Sequence, residues 1–204
     1  MKIKRIVLLH GFNVRDKGAK TTGLLAQELS EVCPVVEFPT GFRLLIGQRL
    51  GSSRRARELA AFIEPGDFLI GHSDGCNVID EAFWTLADSI YGERGNVYAA
   101  YLNPALNQGT PLSPVAGKVF VYATDSDKTV WWSKFRPASK WGQMGKVGYI
   151  QEDLLKFEPR YTTTFYNSLG IVNPKHSGVF HSAENLALIT EDILSKITQI
   201  NSAT

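Results

Sequence analysis

The sequence predicts an α/β fold: a mainly parallel sheet with helices on both faces. Three observations lead there. Short apolar runs alternate with stretches of helical character along the chain, which is how parallel strands and crossover helices follow one another. Runs such as Ile6–Leu9 are continuously apolar, as suits strands buried on both faces. Finally, 204 residues of which 44% are hydrophobic can build a full core, so one domain is expected over residues 1–204.

The elements follow in order. Ile6–Leu9 reads as the first strand and Thr21–Glu31 as a helix. Val35–Phe38 reads as a strand closed by Pro39. Leu44–Ile63 is mostly helical, with a break expected at Gly51. Phe68–Ile70 is a strand and Cys76–Ile90 a helix. Val97–Leu102, Val119–Tyr122 and Tyr161–Tyr166 are strands, the last rich in β-branched and aromatic residues. Ser182 is placed to cap a last helix through Ile197. Asn201–Thr204 reads as a frayed tail.

Composition excludes several classes. A formal net charge of +2 gives no basis for nucleic-acid binding. The run Arg49, Arg54, Arg55 and Arg57 reads as the solvated face of a helix, with Leu59, Ala60 and Phe62 on its buried side. Two cysteines, Cys33 and Cys76, make no disulfide framework and point to a reducing compartment, so a cytoplasmic location is expected. The charged start Met1–Arg5 imitates the head of a signal peptide, but the apolar run stops at His10-Gly11. That is too short for a signal core or a membrane span. No Cys/His cluster has zinc spacing, no phosphate-binding P-loop is found, and no G-x-G-x-x-G follows a strand. The expectation is therefore no metal and no cofactor.

The strongest chemical signal is Gly71-His72-Ser73-Asp74-Gly75, a G-x-S-x-G match. Such a match arises by chance in about one chain in ten at ordinary Gly and Ser frequencies, so its context carries the weight. Phe68–Ile70 precedes it as a strand and Cys76–Ile79 opens a helix. A serine on that sharp turn presents its hydroxyl outwards, and side chains at the flanking positions would clash with the neighbouring strand and helix. A helix start also directs N–H groups and positive dipole at the site. His10-Gly11-Phe12-Asn13 follows the first strand. Acyl transfer needs two N–H donors at the developing oxyanion; Asp74 and Phe12 are the candidates. His10 reads as a packed, hydrogen-bonded histidine.

Strand–HGF, strand–GHSDG–helix, a late strand followed by Asp, and a late His before the last helix together resemble the α/β-hydrolase fold, from Ile6 to about Ile200. The resemblance implies a nucleophilic Ser73, an orienting acid and a histidine base in the order Ser…Asp…His. The family's acid often stands in Asp-x-x-Val after such a strand, which favours Asp127 with Val130; Asp125 is the alternative. For the base, His176 in His-Ser-Gly-Val-Phe fits the family's arrangement, with His181, beside the expected cap, as the alternative. His72 is expected to point away from the base. The chain between Asn103 and Lys118 is short and holds Pro104, Pro111 and Pro114, which oppose a long helix, so no large cap is expected. The aromatic and Gly-rich stretch Trp131–Tyr149 is the candidate wall of the site, with Trp141 and Met144 as substrate-binding residues. The expected substrate is a small-molecule carboxylic ester or thioester; acyl transfer, a peptidase or a silent binding protein on the same fold are the rival readings.

Overall fold

The computed structural model describes residues 2–11, 18–38, 48–88, 97–129, 142–150 and 160–203. Among the described residues six strands form one sheet: β1 (Arg5–Leu9), β2 (Val35–Glu37), β3 (Asp67–His72), β4 (Val97–Leu102), β5 (Ala116–Ala123) and β6 (Tyr161–Phe165). Their order is β2-β1-β3-β4-β5-β6, and every pairing is parallel. Among the described residues the helices with defined bounds are α1 (Ala26–Leu29, entered through a 3₁₀ turn at Thr22–Leu25), α2 (Gln48–Ala60), α3 (Asp74–Ala87), α4 (Met144–Val147) and α5 (Ala183–Ser202). No helix among the described residues is long and apolar enough to cross a membrane.

The pleat sorts the core into two layers. Val7, Leu9, Leu69, Tyr101, Val119 and Val121 pack with Ala56 and Leu59 of α2 and Ile79 and Phe83 of α3. Ile6, Leu8, Phe68, Ile70, Phe120 and Tyr122 pack with Leu29 of α1 and Ile189, Ile193 and Ile197 of α5. Each central strand is thus covered on both faces, which is why its sequence is continuously apolar. An ion pair between the partly buried Arg5 and the buried Asp67 pins the N-terminal ends of β1 and β3. The Arg5 guanidinium donates from Nε to Asp67 Oδ1 at 2.7 Å and from a second nitrogen to Asp67 Oδ2 at 2.8 Å, and it lies 4.4 Å from the Phe62 ring centroid.

Three expectations are corrected. Helix α2 runs through Gly51 without a break, because tertiary packing overrides the roughly 1 kcal/mol a helical glycine costs. Arg55 is buried while Arg54 and Arg57 are exposed, so the basic run is not one solvated face. The C-terminal tail is not frayed up to Ser202: α5 continues past Ile197, and Asn201 Oδ1 accepts from the Ile3 N–H at 2.7 Å, tying the helix end to the chain start. Ser182 caps α5 as expected, its Oγ accepting from the Asn185 N–H.

Candidate active site

Sheet order sets the position of the site. The chain leaves β1 for β2 on one side, then returns to β3 on the other. The carboxyl ends of β1 and β3 therefore diverge in connection, and in such sheets a crevice opens there. His10 and Gly11 leave β1 at this point and Ser73 leaves β3.

Ser73 has φ 55° and ψ −118°, a conformation that costs a non-glycine residue about 1–3 kcal/mol. The surroundings hold it in place. Its N–H donates to Leu102 O at 3.0 Å, and its carbonyl accepts from the Cys76 N–H at 3.2 Å and the Ala105 N–H at 3.3 Å. The glycines on either side permit the close approach. A Cβ on Gly75 would stand 2.8 Å from Leu9 O and 2.9 Å from His10 O; one on Gly71 would stand 2.8 Å from Ile79 Cδ1 and 3.0 Å from Cys76 N. The turn is thus pressed between β1 and α3, as the G-x-S-x-G pattern predicts. Asp74 is the first residue of α3, where a backbone N–H has no acceptor in its own helix. Its side chain accepts from Asn77 Nδ2 at 3.1 Å.

His176 comes from the loop before α5. Its Nε2 is 2.8 Å from Ser73 Oγ and its Nδ1 is 2.8 Å from Asp127 Oδ2. An ionised carboxylate can only accept, so Nδ1 donates to Asp127, and the bare Nε2 accepts from the Ser73 hydroxyl. Asp127 follows β5 and is fully buried, whereas His176 keeps a side-chain exposure of 15%. A buried carboxylate must be hydrogen-bonded to be tolerated. A second donor serves it: Asn103 Nδ2, at 3.2 Å from the same Oδ2. Asn103, at φ 46° just past β4, accepts in turn from the Tyr166 hydroxyl at 2.9 Å. Burial holds that phenol protonated, well above its usual range, so it stays a donor.

The alternatives lie elsewhere. Asp125 is exposed and accepts from Ser126 Oγ. His181 is exposed next to the cap of α5. His10 is buried, its Nδ1–H donating to Gly11 O at 2.8 Å, which agrees with the packed histidine expected. His72 does not point away from His176: its Nε2 is 2.8 Å from the His176 carbonyl. Met144 is also corrected. It opens α4 fully buried in the core beside α3, so it faces no substrate. The described part of the candidate wall is a packing segment. The N–H groups of Gly142, Met144, Gly145 and Ile150 donate to the carbonyls of Ala105, Leu106, Pro104 and Gln108. Phe12 and Trp141 lie outside the described residues. Residues 103–115 form a loop with turns and no helix, so the usual cap position is uncapped.

Two residues escaped the sequence reading, and a third, His72, was misplaced by it. Asn103 reaches Asp127 and Tyr166 reaches Asn103 from separate strand ends, and no spacing links them. His72 did carry a signal, because Phe68, Ile70 and His72 alternate onto the α5 side of the sheet. Among the described residues no group of three or more His, Cys, Asp or Glu is arranged to hold a metal ion.

No protein-family model matches this sequence, and none of the curated proteins matches it. Solved structures do. A protein from Xanthomonas campestris pv. campestris, described as a candidate hydrolase of the alpha/beta superfamily, is 14% identical; the match covers 94% of this chain and 99% of that one, with a TM-score of 0.52. A carboxylesterase from Mesorhizobium loti is 14% identical over 95% of this chain and 90% of that one, with a TM-score of 0.46. An esterase domain from Rhodothermus marinus is 11% identical over 95% and 85%, with a TM-score of 0.48. The likeness to the Xanthomonas protein extends over nearly all of both chains and fits the six-stranded parallel sheet with its helices. This chain has the α/β-hydrolase fold.

Proposed function

We propose that this protein is a serine hydrolase that cleaves a small-molecule carboxylic ester or thioester through an acyl-enzyme on Ser73, without metal or cofactor. The observation that carries the proposal is the unbroken hydrogen-bond chain from Ser73 Oγ to His176 to Asp127, with 2.8 Å at each step, at the head of α3. In this reading His176 Nε2 takes the hydroxyl proton as Ser73 attacks the acyl carbon. The Asp127 carboxylate keeps the proton of His176 on Nδ1 and stabilises the imidazolium that forms. The alkoxide of the tetrahedral intermediate is held by the Asp74 N–H and by the N–H of Phe12, which follows Gly11. His176 then protonates the leaving alcohol. A water, deprotonated by the same histidine, releases the acid. The base must be neutral to work, so kcat/KM falls on acidification.

The uncapped loop 103–115 favours a substrate that enters from solvent. Trp141 remains the candidate for a wall beside it. The cysteines, both buried and unpaired, suit a reducing compartment, and the proposal places the enzyme in the cytoplasm as a single domain. A panel of p-nitrophenyl esters of increasing acyl length tests the activity. The wild type is expected to hydrolyse short-to-medium esters. Ser73→Ala, folded and of unchanged thermal stability, is expected to lose about 10³-fold or more in kcat. Retention of near wild-type hydrolysis by that variant would remove Ser73 from the mechanism.

A further inference from the structure

His72 sits inside the turn that carries Ser73, and none of the steps above uses it. Its ring is buried. It meets the Phe180 ring edge-on, centroids 5.1 Å apart at 90°, and lies 5.0 Å from the His176 ring. Its Nε2 is 2.8 Å from the backbone carbonyl of His176. A carbonyl only accepts, so Nε2 carries the proton and donates. Nδ1 is then a bare lone pair, buried without a hydrogen-bond partner. It faces Gly11, where an added Cβ would come within 3.4 Å of it.

An apolar side chain would fill this place without leaving a buried acceptor unpaired, which costs about 1–3 kcal/mol. The bond that offsets that cost holds the backbone of His176 itself. The loop needs such a hold. Lys175 donates to Asn173 O and Gly178 donates to Lys175 O on either side of His176, while the loop begins at Asn173 with φ 48° and forms no helix or strand until Gly178.

We infer that His72 is a positioning residue: its Nε2–H anchors the His176 carbonyl and so keeps the imidazole within hydrogen-bond reach of Ser73 Oγ. The inference rests on the proposed roles of Ser73 and His176. Histidine suits the task because the ring stays a neutral donor throughout turnover. Burial and the adjacent His176 push its pKa down to about 3; Asp127, which opposes that shift, and His10, which adds to it, are its other titratable neighbours.

Two amides of different reach provide the test. In His72→Gln the side-chain nitrogen can take the place of Nε2. In His72→Asn it is one methylene too short. Thermal melts establish that each variant is folded. Then kcat and KM are measured on one short-chain ester, together with the rate at which a fluorophosphonate labels Ser73. His72→Asn is expected to lose up to about 100-fold in kcat and in labelling rate, with KM within about twofold. His72→Gln is expected to recover most of that loss. If the shorter amide does not fold, His72→Leu replaces it with the same expected loss. Equal rates for the folded Gln variant and the Asn or Leu variant it is compared with would overturn the positioning role, whether both match the wild type or both fall together. A wild type that takes no label at Ser73 would overturn the proposed function first, and the inference with it.

Discussion

Asp125 and Asp127 share the turn after β5, and their surroundings separate them. Asp127 is fully buried and bonded to His176 Nδ1, whereas Asp125 is exposed. His176 and His181 divide in the same way on either side of the Gly178–Phe180 turn. Asp127→Asn is expected to lower kcat/KM by roughly 10³- to 10⁴-fold, because an amide does not hold the Nδ1–H tautomer of the base. Asp125→Asn should stay close to the wild type, and His176→Ala should be far worse than His181→Ala. Ester hydrolysis by the four purified variants checks the assignment, and an inactive Asp125 or His181 variant would reverse it. At this scale the strand–turn–helix pattern marked Ser73, while Asp127 and His176 were reached only through the resemblance to α/β-hydrolases, whose placing of an acid after a late strand and a histidine before the last helix they match. The sequence did not show Asn103, which bonds Asp127, or Tyr166, which bonds Asn103; these meet only when β4, β5 and β6 lie side by side.

The strand–turn–helix around Ser73 is where element and chemistry coincide. Gly75 is the least replaceable residue in it, because the atoms nearest an added Cβ are backbone carbonyls of Leu9 and His10. Neither can yield without moving β1. Gly75→Ala is expected to destabilise the protein by about 1–3 kcal/mol or more and to lower activity beyond the folded fraction, since β1 also carries the Gly11 approach to Ser73. Urea unfolding followed alongside ester hydrolysis measures both; unchanged stability would show that the turn has slack. The strands were legible to within a few residues, β1 to β5 as apolar runs and β6 by its β-branched and aromatic content. Boundaries set by tertiary contacts were not: α2 continues through Gly51, and α5 continues to Ser202 beside Ile3. The Gly142–Ile150 segment is held to the loop after β4 by backbone bonds. No side-chain pattern encodes such bonds, so its aromatic and glycine content was misread at Met144.

On the scale of the whole molecule, polar anchoring and buried charge set how stability depends on pH. The Arg5–Asp67 pair closes the N-terminal end of the sheet, leaving the carboxyl end to the site. Asp80 of α3 is a liability. Burial, with Glu81 adding to it, raises its carboxyl to about 7, and its Oδ1 has no hydrogen-bond partner. In the unfolded chain an aspartate titrates near ~3.9. The folded state therefore holds the proton more tightly. That contribution to stability is fully present below about pH 4 and is lost as the pH rises through about 7. Asp80→Asn should gain on the wild type as the pH rises, by the order of a few kcal/mol at pH 8, and the gain should shrink steadily towards pH 4. Thermal melts of both proteins across this range give the result; a gap independent of pH would mean that Asp80 titrates as an ordinary aspartate. The parallel layout was legible in full from the alternation of strands and helices. The strand order was not, since apolar runs specify burial and leave neighbours open.

The central claim is that Ser73 is a nucleophile activated by His176. Treating the intact protein with a fluorophosphonate and mapping the adduct by peptide mass spectrometry tests it directly. The expected result is a single adduct on the peptide containing Ser73, absent from Ser73→Ala and strongly slowed in His176→Ala. A folded wild type that takes no adduct, or a Ser73→Ala protein labelled as fast as the wild type, would contradict it.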